Sequence, residues 1–104
     1  MVGPEHQMAL LEQVRADLRR CSEVFDTSLE RAPADRELPL LCSAAHEVKG
    51  LAATIGASGL VDIAKQVERA CTDQDATALS LLLPDIAQRT GLTAQSIADM
   101  VQAT

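Results

Sequence analysis

Aromatic side chains are almost absent from this chain, which has one phenylalanine, Phe25, and neither tryptophan nor tyrosine in 104 residues. A core must then be assembled from Leu, Ile, Val and Ala, which suits packed helices better than strands, where aromatic and β-branched residues are favoured. Positive charge is also scarce. Nine Lys and Arg face fifteen Asp and Glu, for a net charge of −6, and no basic cluster stands out; this argues against nucleic acid and anionic membrane as partners. No apolar run approaches the roughly 20 residues of a membrane span, and the opening MVGPEHQ lacks the basic and apolar parts of a signal peptide. The expected location is therefore cytoplasmic. Cys21, Cys42 and Cys71 are odd in number and widely spaced, matching neither a disulfide framework nor a CxxC metal site, so they read as free thiols.

What is present is helical periodicity. The length suits one domain over residues 1–104, enough for a continuous core without metal or disulfide. Met8, Leu11, Val14, Leu18, Cys21, Phe25 and Leu29 recur at helical spacing as far as Arg31, either as one helix or as a short lead helix and a second one. Pro33 breaks the pattern, and Asp35 suits the cap of a helix that starts between Arg36 and Pro39 and stops near Ile55, with Gly56 free to take a left-handed conformation. Ser58 suits the cap of a third helix with core positions Leu60, Ile63, Ala64, Val67 and Cys71, and Asp73 to Asp75 form the next turn. From Ala76 to Ala103 apolar residues repeat again. Pro84 and Gly91 interrupt them, which predicts one long kinked helix, with a break capped by Thr93 as the alternative. The fold class expected is all-α, an antiparallel up-down four-helix bundle with or without a short extra N-terminal helix.

The segment AAHEVKGLAATIGA, Ala44 to Ala57, carries the chemistry. Leu38, Leu41, Ala45, Val48, Ala52 and Ile55 form one apolar stripe, and His46 falls roughly 130° from its centre, pointing to water. Gly50 costs a mid-helix position about 1 kcal/mol relative to alanine, yet lies almost opposite the stripe, so it favours access for another macromolecule over helix packing. Ser43 and Ala53 flank the same small-residue surface. Because Gly56 and Ala57 make a short connection, the second and third helices are antiparallel neighbours. His46 lies about 15 Å before the turn and Glu68 about 18 Å after it, at about the same level. Glu68 then either orients the imidazole by accepting a hydrogen bond or is a solvated carboxylate, and Lys49 is either a positive charge placed to serve the histidine or an ordinary surface lysine.

The pattern His46-x-x-Lys49-Gly50, with Val48, Ala52, Ala53, Gly56-Ala57, Leu60 and Glu68, resembles the histidine-containing phosphotransfer (HPt) domain of bacterial phosphorelays. The resemblance implies that His46 accepts a phosphoryl group from a receiver-domain aspartate and passes it to another, that Lys49 lies beside the phosphate, and that Gly50 leaves room for the receiver. It implies receiver domains of response regulators and hybrid sensor kinases as partners, and no cofactor of the chain's own, the divalent metal being supplied by the receiver. It also implies a phosphoryl carrier without autonomous kinase activity, acting as a monomer. His6 has no Lys-Gly companion and is a poor second acceptor.

Three other readings compete. His46-Glu47-Val48-Lys49 also resembles the phosphoacceptor hairpin of a sensor kinase, but Gly50-Leu51 replaces the small polar residue and proline of that motif, and no nucleotide loop follows. Cys42 and His46 are spaced to share a metal with Glu68. The third is a docking scaffold whose histidine is never phosphorylated. The initial Met1 favours a free-standing shuttle over a kinase fragment.

Overall fold

The computed structural model describes residues 4–103; Met1 to Gly3, where the leader and start-site readings fall in part, and Thr104 lie outside the described residues. Four α-helices follow one another: α1 (Pro4–Leu29), α2 (Leu38–Ile55), α3 (Ser58–Thr72) and α4 (Ala76–Ala103), with a 3-10 turn at Pro33–Asp35 between the first two. Each packs against its neighbours in sequence, and α4 closes the ring on α1. The fold is all-α, an antiparallel four-helix bundle, and α1 is a single helix without a separate lead segment.

The expected core stripes face inward. Leu18, Cys21 and Phe25 of α1 meet Leu41, Ala45, Val48 and Ala52 of α2, Leu60, Ile63, Ala64 and Val67 of α3, and Leu79, Leu83, Ile86, Ala94 and Ile97 of α4. Phe25, the one aromatic, is the largest fully buried side chain. Burial pushes the thiols of Cys21 and Cys71 up to about 11, so both are inert small hydrophobes.

Helix lengths shape the molecule. At 1.5 Å per residue α1 and α4 run about 39 and 42 Å, whereas α2 and α3 run only about 27 and 22 Å. The long pair therefore extends past the α2–α3 turn, where Leu10 and Met100 remain about half exposed over an apolar groove of 510 Å³.

The helix ends correct part of the sequence reading. Gly56 is left-handed (φ 76°), and the Ala57 and Gly56 amides donate to the Ala52 and Ala53 carbonyls, closing α2 in the Schellman pattern. Gln74 repeats that pattern at φ 53°, with Asp75 and Gln74 amides donating to Ala70 and Cys71. Asp35, Ser58 and Thr93 do not cap. Asp35 sits inside the 3-10 turn, two residues too early for a helix preceded by Glu37; Ser58 is already the first residue of α3; Thr93 lies in mid-helix and donates to the Arg89 carbonyl. The side chain that does cap is Asp75, whose Oδ1 accepts the Ala78 amide at 3.0 Å. Arg36 holds the first connection by donating to the Ser28 carbonyl and to Ser80 Oγ.

The last helix runs unbroken through Pro84 and Gly91. Pro84 is exposed, so its ring meets solvent while neighbouring residues keep the inner face. Gly91 faces α1: a Cβ there would lie 3.4 Å from the Ser22 hydroxyl oxygen. Beside it Thr90 is wholly buried, and its hydroxyl has no partner among the described residues, whereas Thr54, Thr72 and Thr93 each bond back to the carbonyl four residues earlier.

Candidate functional site

The apolar stripe of α2 fixes the helix rotation, and with it the direction of every residue opposite. His46 emerges with 71% of its side chain exposed. Ser43, Gly50 and Ala53 are exposed on the same side, and a Cβ built on Gly50 meets nothing within 4 Å. Position 50 is therefore open toward solvent.

The tight Gly56 turn returns the chain so that α3 brings Glu68 level with His46. His46 Nδ1 lies 3.4 Å from Glu68 Oε2, and Lys49 Nζ donates to the same oxygen at 3.3 Å. The ammonium also lies 3.0 Å from Oε1, an ion contact outside the directed geometry of a hydrogen bond. Glu68 is the pivot of this triad: a quarter of its side chain is exposed, and one carboxylate touches both an imidazole and an ammonium. The Lys49 hydrogen bond, opposed by partial burial and helped by His46, holds its carboxyl below the ordinary carboxylate range. At neutral pH Glu68 is therefore ionised and accepts only, so the Nδ1 it faces carries the proton. In the neutral imidazole Nε2 is then the nitrogen with a free lone pair.

His46 and Glu68 thus meet at the level their spacing predicts, and Lys49 joins them through a contact with Glu68 that the sequence reading did not foresee. Cys42 does not join them as a metal site: it is half-buried, and among the described residues no group of three His, Cys, Asp or Glu is placed to hold an ion. Two features of the surroundings were not anticipated. Glu47, next to His46 but turned toward α1, accepts both terminal nitrogens of Arg20, which also reaches Asp17. On the other side Lys65 and Arg69 of α3 line a groove with Lys49 and Glu68. The Arg20 pair joins residues 27 apart, for which a single sequence offers no local signal; the i, i+4 spacing of Lys65 and Arg69 was readable, but their nearness to Lys49 needed the helix register.

The Hpt domain family model matches residues 9–103, nearly the whole chain. The chain belongs to the Hpt domain family. Comparison with curated proteins and with solved structures found no match. Hpt domains act in histidine phosphotransfer within phosphorelays and interact there with receiver domains. Of the two histidines, His6 lies before the matched Hpt segment and His46 within it. No helix among the described residues of this Hpt domain is long and apolar enough to cross a membrane.

Proposed function

We propose that His46 is the phosphoacceptor of this Hpt domain, taking a phosphoryl group from a receiver aspartate and returning it to another. The observation that carries this is the exposed imidazole with Nδ1 held against Glu68, which leaves Nε2 directed outward as the nucleophile. In the forward step Nε2 attacks phosphorus, the bond from phosphorus to the aspartyl oxygen breaks, and its electron pair leaves with the aspartate. The Nδ1 proton stays where it is, bonded to Glu68, so no proton need move. Transfer of this kind asks mainly for positioning and charge stabilisation. Lys49 contributes the second: its ammonium swings from Glu68 toward the phosphoryl oxygens as negative charge arrives. The divalent cation belongs to the receiver's own carboxylates, and Ser43, Gly50 and Ala53 form the low surface on which the receiver sits.

Four helices close this bundle within one chain, whereas a kinase hairpin needs a second copy to complete four; this favours a monomeric carrier over a kinase fragment. The test is incubation with a receiver domain phosphorylated by acetyl phosphate. Acid-labile, alkali-stable label on His46 is expected. Label elsewhere, or none from any receiver in a broad panel, overturns the assignment.

A further inference from the structure

The two flanks of His46 differ in free charge. On the α1 side Arg20 is bonded to both Glu47 and Asp17, so one cation is outnumbered by its carboxylates. On the α3 side a groove of 440 Å³ is lined by Lys49, Lys65, Glu68, Arg69, Thr72 and Asp73, three cations against two carboxylates. Both lysines of the chain are in this groove. Lys65 is exposed, with no ion-pair or hydrogen-bond partner among the described residues, and Arg69, 86% exposed, has only Asp73 at 3.7 Å. In a molecule of net charge −6, a groove with one more cation than carboxylates, its Lys65 unpaired among the described residues and its Arg69 held only by the 3.7 Å contact, thus lies beside the exposed His46.

We infer that Lys65 and Arg69 form a docking edge for the acidic, cation-holding rim of the receiver domain and orient it over His46. This rests on the phosphotransfer reading above. Chemistry names the occupant: a domain that holds a divalent cation beside its reacting aspartate must gather further oxygen ligands, chiefly carboxylates, around that point. Those carboxylates arrive at the histidine together with the phosphoryl group. An acidic rim is repelled by the carboxylate-rich α1 flank and attracted to the α3 flank, which fixes the rotation of the partner about the His46 axis as well as its approach. Lys49 works at the phosphoryl group, while Lys65 and Arg69 act on encounter and register.

The experiment compares the wild-type chain with the double variants Lys65→Gln/Arg69→Gln and Lys65→Glu/Arg69→Glu, using a receiver domain selected for transfer to the wild type and phosphorylated with acetyl phosphate. At about 50 mM salt the charge reversal should lower kcat/KM about tenfold or more and the neutral pair less, with kcat at saturating receiver nearly unchanged. At about 500 mM salt, where the Debye length shrinks to roughly 4 Å, the three proteins should converge. Labelling of His46 by phosphoramidate, which needs no receiver, and helical melting should be alike in all three. Unchanged kcat/KM at low salt, a loss that persists at high salt, or a loss confined to kcat overturns the docking edge. Reduced phosphoramidate labelling also overturns it, since the residues would then act on the histidine itself. A wild-type chain that accepts no phosphate from receiver or phosphoramidate overturns the phosphotransfer reading instead.

Discussion

Gly50 and Gly91 both stand inside helices, yet they meet opposite surroundings. A side chain at Gly50 would enter open space on the His46 face, while one at Gly91 would press on Ser22 of α1. The same residue, with the same propensity penalty of about 1 kcal/mol, is explained by an absent neighbour in one case and a present neighbour in the other. Gly91 lets two long helices approach; Gly50 serves nothing inside the molecule, and this is why its explanation must be sought in a partner.

The sharpest way to break the comparison is to remove the group that Gly50 is said to uncover. His46→Gln should abolish phosphoryl acceptance and leave helical circular dichroism and the thermal midpoint unchanged, because the imidazole is mostly in solvent. A cooperative loss of structure would show that the exposed face is part of the fold. Gly50→Gln and Gly91→Gln should then give opposite results. At position 50 a long side chain one turn from His46 should reduce transfer about a hundredfold by misplacing the receiver, with little change in stability. At position 91 overpacking against Ser22 should destabilise by about 1–3 kcal/mol, while the folded fraction transfers normally.

Lys49→Ala probes the open face without adding bulk. Loss of a charge-assisted contact of roughly 1.5–3 kcal/mol in the transition state predicts a ten- to hundredfold slower single-turnover transfer. Wild-type rates would make the Lys49–Glu68 contact a structural ion pair only. On the packed side, Thr90→Val removes a buried hydroxyl that has no partner among the described residues and keeps its shape, and should stabilise by roughly 1 kcal/mol in thermal or urea melts. A destabilised Val variant would mean that the hydroxyl is satisfied in solution.

Legibility followed the range of the interactions. The stripe on α2 was set by local periodicity, so the exposure of His46 and the burial of Leu41, Ala45, Val48 and Ala52 could be read directly. The meeting of His46 with Glu68 needed one more fact, the length of the Gly56 connection, and that too was local. Caps were less readable: Asp35, Ser58 and Asp75 are all good capping residues, but Asp35 lies two residues before the cap position and Ser58 one after it while Asp75 occupies it, a difference below the precision of boundary assignment. The Arg20–Glu47 pair and the contact of Gly91 with Ser22 join distant segments through tertiary packing, and nothing within either segment announces them.

The smallest expected effects test the comparison most finely. Gly50→Ala adds a methyl group where nothing lies within 4 Å, so the helix-propensity gain should appear almost whole, up to about 1 kcal/mol of added stability. Gly91→Ala starts from the same gain, but its methyl arrives at 3.4 Å from Ser22 Oγ, the near edge of ordinary contact, at a buried residue with little freedom to retreat. Part of the propensity gain is then offset by crowding between α1 and α4, so the increase should be distinctly smaller or reach zero. Melts of both variants beside the wild type measure the difference, and transfer assays should find the Gly50→Ala protein only mildly impaired, because a methyl group projects far less than a glutamine. Equal stabilisation at both positions would show that the α1–α4 contact yields easily and that Gly91 is not held by packing. A destabilised Gly50→Ala would be the graver result, since no neighbouring helix among the described residues comes within 4 Å of where that methyl group would go, and the open face would have to be closed in solution by something other than the receiver.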